Sequence, residues 1–212
     1  MEGNEIIATL KHPFILSIIG NVSIIFFFAS IYNHMHVIIC FKFKGPSMSG
    51  KTTLIFEILN RRNEIVDTYI NNIHYVYGIE QPQYLQYEKE HPEIVFMPVL
   101  DESKLNSSSL VVFDDQMNDF ESNKNSFITN FVTRSVHHVG CSCILVLHNA
   151  FSPKLRTVAL STNYLIFFKQ PRDGSTISNL SKQMFPGSKN YLLAAYKDCT
   201  EKPHTYIFID LS

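Results

Sequence analysis

Tryptophan is absent, cysteine occurs four times, and only 17% of the residues carry charge. Scarce charge beside 45% hydrophobic residues excludes a disordered chain and calls for a packed core. There is also no excess of either sign: 18 Lys and Arg face 19 Asp and Glu. No global positive field draws the chain to nucleic acid, so any such contact must come from a local patch. Cysteines at 40, 141, 143 and 199 are too few and too unevenly spaced for a disulfide scaffold, and no two form a C-x-x-C pair. A reducing compartment is the expectation. Cys141 and Cys143 lie two apart in an apolar run, point to one face of a strand, and read as small core residues rather than metal ligands. Linkers are lacking too, since the polar breaks at 101–109 and 170–175 are short and unbiased, and no internal repeat is found. The expected organisation is an apolar N-terminal segment, 1–44, followed by one domain over 45–212.

Between Pro13 and Phe41 there is no Asp, Glu, Lys or Arg. Within that stretch Phe14 to Tyr32 is a 19-residue apolar run, long enough to cross a bilayer. A signal peptide fits poorly, because the run is too long and no small-residue cleavage site follows. Asn21, Asn33, His34 and His36 count against a membrane helix, and the β-branched content suits strands equally.

Chemistry first shows at Gly45-Pro46-Ser47-Met48-Ser49-Gly50-Lys51-Thr52, which fits G-x-x-x-x-G-K-[ST] at every fixed position. A β-rich run, Val37 to Phe43, precedes it, and Thr53 to Leu59 continues with apolar residues at helical spacing. Strand, loop, helix is the order a phosphate-binding loop requires. Gly45 and Gly50 open backbone angles that turn successive N–H groups toward phosphate oxygens, helped by the helix N-terminus at Thr53. Lys51 is expected to reach the β and γ phosphates of ATP, and the Thr52 hydroxyl to ligate Mg²⁺.

Ser109-Leu110-Val111-Val112-Phe113-Asp114-Asp115 supplies the acids that such a site needs, as a buried parallel strand with two carboxylates at its C-terminal end. Asp114 is expected to hold Mg²⁺ through water and Asp115 to orient or deprotonate the attacking water. Taken alone, the acid pair reads equally as a solvated turn. A third apolar strand, Cys143 to Leu147, ends in His148-Asn149, where His148 is placed to sense the γ phosphate and Asn149 fits a turn as well. Strands are expected at Ile73 to Tyr77, Ile94 to Leu100, Tyr164 to Phe168 and Tyr206 to Ile209, with a helix over Ser126 to His138. This alternation predicts an α/β fold.

Several blocks beyond the phosphate loop are distinctive. Phe131-Val132-Thr133-Arg134-Ser135-Val136-His137-His138, Leu147-His148-Asn149-Ala150-Phe151, Leu155-Arg156-Thr157, Phe168-Lys169-Gln170-Pro171-Arg172-Asp173 and Tyr196-Lys197-Asp198-Cys199-Thr200 follow in that order. From Gly45 to Leu211 the chain resembles the genome-packaging ATPases of Polinton/Maverick elements, adintoviruses and virophages, within the FtsK-HerA group of P-loop ATPases. The resemblance implies a RecA-like P-loop NTPase fold with a mainly parallel central sheet flanked by helices. It implies an ATP- and Mg²⁺-dependent motor that moves double-stranded DNA into capsids, as a homo-oligomeric ring with capsid proteins as partners, at an assembly site in nucleus or cytoplasm. Arg134, ahead of Arg156 and Arg172, becomes the candidate for a charge supplied across a subunit interface. The alternatives are another P-loop enzyme such as a small-molecule kinase, and a nucleotide-binding protein that no longer hydrolyses.

The chain departs from that pattern in three places. His148 stands where the family usually has Gln, and the chain ends at Ser212 where relatives usually continue. In the family a His-Pro-Phe like His12-Pro13-Phe14 runs through one short strand into the phosphate loop, whereas here Gly45 comes 31 positions after Phe14. Residues 20–44 are therefore expected to be an insertion, as retained intron, as membrane anchor or as a genuine extra strand, and a membrane contact follows only if 14–41 is a true anchor.

Overall fold

The computed structural model describes residues 10–11, 15–19, 26–27, 38–42, 51–116, 127–147, 156–168, 174–201 and 205–211. It divides into two compact units, Met1–Leu16 with Ile55–Val146 and Ser17–Leu54 with Leu147–Ser212. Strands β1 (Ile15–Ile19), β2 (Phe26–Phe27) and β3 (Ile38–Lys42) precede helix α1 (Lys51–Asn60) and the short α2 (Arg62–Ile65). Then come β4 (Asn72–Tyr77), α3 (Pro82–Glu90), β5 (Ile94–Met97) and β6 (Ser109–Asp114). The short helix α4 (Phe127–Asn130) widens into a π-helical segment, Phe131–Gly140, which leads to β7 (Ser142–Leu147). Helix α5 (Arg156–Ser161), β8 (Tyr164–Phe168), α6 (Gly174–Met184), α7 (Tyr191–Cys199) and β9 (Thr205–Asp210) complete the order.

In the first unit β7, β6, β4 and β5 lie side by side and all run parallel. Every residue of β6 and of β7 is buried, which is why both read as unbroken apolar runs in the sequence. The register sets Tyr75 beside Val112 and Tyr77 beside Asp114, so pleat alternation places Tyr75, Tyr77 and Asp114 on one face and His74 and Phe113 on the other. An aromatic cluster covers the first face. Phe56 of α1 stacks on Tyr87 of α3 at 3.8 Å between ring centroids, and Tyr75 meets Tyr84 at 5.2 Å and Phe96 at 4.7 Å. The Tyr87 hydroxyl donates to the Phe56 carbonyl at 3.1 Å and to Asn60 Oδ1 at 2.5 Å, tying α3 to α1. Over the other face, Phe131 packs edge-on against Phe113 at 5.3 Å. A parallel sheet with helices on both faces is the α/β architecture expected from the sequence.

In the second unit β2, β3, β9 and β8 form an antiparallel sheet. Strand β3 lies where a strand is expected, ahead of the phosphate-loop run and of α1; it pairs antiparallel with β9, Cys40 beside Ile207 and Lys42 beside Thr205. Helix α7 is tied to β8 by the Tyr196 hydroxyl, which donates to the Phe168 carbonyl at 3.1 Å. Among the described residues no helix is long and apolar enough to cross a membrane. Cys141 and Cys143 are free and buried, as expected, and burial pushes the Cys141 thiol up to about 11 and raises Cys143 as well.

Candidate functional site

Lys51 and Thr52 open α1, and both side chains are buried; Thr53 is half-buried behind them. Gly45, Pro46, Ser47, Met48, Ser49 and Gly50 lie outside the described residues. The first N–H groups of a helix have no intrahelical acceptor and carry positive potential, so the start of this ten-residue helix suits an anion.

Asp114 ends β6 with 5% of its surface exposed. Burying a carboxylate is costly unless hydrogen bonds compensate, and two phenols do so here. The Tyr75 hydroxyl donates to Asp114 Oδ2 at 2.5 Å from the neighbouring strand, and the Tyr84 hydroxyl donates to the same oxygen at 3.1 Å from α3. Burial first, then the Asp114 charge, pushes both phenols well up from their ordinary value. Each therefore stays protonated, and a donor, across the physiological range.

Asp115 follows with φ at 57°, the left-handed region that Asp tolerates better than most side chains. Its backbone is fixed by Gly78 at the end of β4. The Gly78 N–H donates to the Asp114 carbonyl at 2.9 Å, and a Cβ on Gly78 would sit 2.0 Å from the Asp115 carbonyl oxygen. Only a glycine permits that approach.

The first unit thus brings Asp114 and Asp115 together with Tyr75, Tyr84 and Gly78, none of which the sequence reading singled out. Tyr75 and Gly78 fall in or beside a run read correctly as a strand, but their relation to Asp114 exists only through the β4–β6 register. Arg134 is exposed on the π-helical segment. His148, Asn149, Arg172 and the Arg156 side chain lie outside the described residues.

Hydroxyl and carboxylate oxygens are what a hard cation prefers, so Thr52 and Asp114 are of the right chemistry for Mg²⁺. Among the described residues no three His, Cys, Asp or Glu side chains converge into a metal cage. Mg²⁺ does not need one, since it is commonly held by one or two carboxylates with substrate phosphates and water.

No family model and no curated protein matches the chain. Among solved structures it resembles the genome packaging NTPase B204 from Sulfolobus turreted icosahedral virus 2, determined in complex with sulfate. The TM-score is 0.54 at 12% identity, over 94% of this chain and 92% of that one. The chain has the fold of a viral packaging NTPase. At that identity the likeness is one of fold, and the four-stranded parallel sheet of β7, β6, β4 and β5 is the described part that carries the α/β character.

Proposed function

We propose that the chain is an ATP-hydrolysing motor that packages double-stranded DNA of a virus-like element into capsids, as a homo-oligomeric ring. One observation carries the reading: a single chain holds a G-x-x-x-x-G-K-T run whose Lys51-Thr52 opens a helix, and a buried carboxylate, Asp114, ending a parallel strand. Lys51 would bind the β and γ phosphates, Thr52 would ligate Mg²⁺ and Asp114 would hold it through water. Held there, Mg²⁺ would supply neutralising charge to the phosphate oxygens. Asp115 accepts a proton from, or orients, the attacking water. Arg134, exposed, is offered to a neighbouring subunit. The resemblance of the later sequence blocks to Polinton, adintovirus and virophage ATPases supports DNA as cargo and capsid proteins as partners; a small-molecule kinase would explain none of them. The same resemblance makes 20–44 an insertion, and an uninterrupted mature transcript encoding those residues would reject a retained intron.

ATP turnover with and without double-stranded DNA tests the function. Stimulation by DNA is expected, whereas phosphate transfer to a small acceptor would identify a kinase. Lys51→Ala should weaken nucleotide binding and turnover together. Asp115→Asn should bind ATP normally and lower turnover about 10²-fold or more, as loss of a general base does. Equal nucleotide affinity in Lys51→Ala would reject the phosphate-loop assignment, and undiminished turnover in Asp115→Asn would reject the base.

A further inference from the structure

Two phenol hydroxyls converge on one oxygen of Asp114, the carboxylate that the proposed function gives the task of holding Mg²⁺ through water. They come from different elements: Tyr75 from the middle of β4 and Tyr84 from the first turns of α3. Both rings are fully buried, locked to each other, and stacked on Phe96, at 4.7 Å for Tyr75 and 5.5 Å for Tyr84. The torsion that rotates an aspartate carboxylate is soft and roughly two-fold, so packing of the methylene alone does not fix where its oxygens point. Donors held by rigid partners do. Partners of this kind behind a metal-ligating carboxylate orient it, and their loss typically costs 10- to 100-fold in metal affinity or activity.

Resting on the reading of Asp114 given above, we propose that Tyr75 and Tyr84 are positioning residues that orient the Asp114 carboxylate for Mg²⁺ bound with nucleotide. A purely structural role, in which the phenols only offset the cost of burying the acid, predicts lost stability but no selective loss of metal affinity. Tyr87 separates the two. It belongs to the same aromatic cluster and its hydroxyl also donates, in part-buried bonds, but to Phe56 and Asn60 of α1 and not to Asp114.

The test uses the full chain and Mn²⁺ as probe, titrated by electron paramagnetic resonance in the presence and absence of ADP, with melting temperature recorded for each variant. Tyr75→Phe and Tyr84→Phe should each weaken ADP-dependent Mn²⁺ binding about 10-fold, while leaving metal-free ADP affinity unchanged. Tyr87→Phe should lower the melting temperature with Mn²⁺ affinity intact. Wild-type affinity in both Asp114-facing variants, or an equal loss in Tyr87→Phe, overturns the proposal while the site stands. Absence of ADP-dependent Mn²⁺ binding in the wild type overturns the site itself. Should Tyr75→Phe not fold, Tyr84→Phe decides alone, since it keeps the shorter of the two bonds.

Discussion

Gly78 and His74 lie four residues apart around one strand and bear on different properties. At Gly78 the nearest backbone atom to an added methyl is the Asp115 carbonyl oxygen, which cannot yield as a flexible side chain would. Gly78→Ala should therefore destabilise by about 1–3 kcal/mol and move the Asp115 backbone, lowering turnover beyond the loss of folded protein; melting curves and kcat per folded molecule measure the two effects. His74 is 3% exposed on the opposite face, and neither ring nitrogen has a hydrogen-bond partner among the described residues. Burial, with help from the Lys104 charge and against that of Asp101, lowers its pKa below the ordinary 6.5. The unfolded chain then takes up the proton first, so this stability is complete above the unfolded value and falls as pH drops from there toward the folded one. His74→Leu should stabilise by about 1–2 kcal/mol at neutral pH by removing two unsatisfied polar atoms. It should also flatten the fall in melting temperature between pH 7.5 and 5.5, and an equal fall in both proteins would reject the assignment. Lys51 and Thr52 were legible from the fixed spacing of one short run, and Asp114 from its place at the end of an apolar strand. Tyr84 was not, because nothing near it in the chain announces that it reaches Asp114 across 30 positions.

At the scale of elements, the buried strands stood out because a strand covered on both faces is written as an apolar run, whichever way its neighbours run. Tyr164–Phe168 has the bounds expected, and β6 and β9 differ from expectation by a residue or two. Helices were harder. In α3 only Tyr84 and Tyr87 are buried, too few for an apolar stripe to show, and α6 begins at Gly174 inside a stretch read as a polar break. The helix expected over Ser126 to His138 is present, but from Phe131 it takes the wider π form, a change of hydrogen-bond register that apolar spacing does not encode. It ends at Gly140, whose φ of 76° lets the chain turn into β7. A methyl there would meet nothing closer than the Ser107 Cβ at 3.8 Å, so the cost of substitution is conformational rather than steric. Gly140→Ala should lose about 1–2 kcal/mol in urea denaturation, and Gly140→Asn less, because Asn tolerates this region.

For the molecule as a whole, the sheet order was the part least open to sequence reading. Strand β3 directly precedes the phosphate-loop run in the chain, yet it joins the antiparallel sheet of β2, β3, β9 and β8. An apolar run marks a strand, not which neighbour it chooses. Assembly beyond one chain turns on Arg134, because phosphoryl transfer develops charge that an arginine from a neighbouring subunit can stabilise, an effect of roughly 10³ to 10⁵ in rate. Arg134 is exposed on the π-helical segment, as such a role requires, and a surface ion pair is the rival role. If it acts across an interface, Arg134→Ala should bind ATP with wild-type affinity yet hydrolyse it at least 10²-fold more slowly. Lys51→Ala is inactive for the opposite reason: its own phosphate loop fails while its Arg134 is intact. Mixing the two variants should then restore turnover at those interfaces where a sound loop meets a sound arginine. Oligomers shown to exchange subunits but recovering no activity at any ratio would remove the role from Arg134.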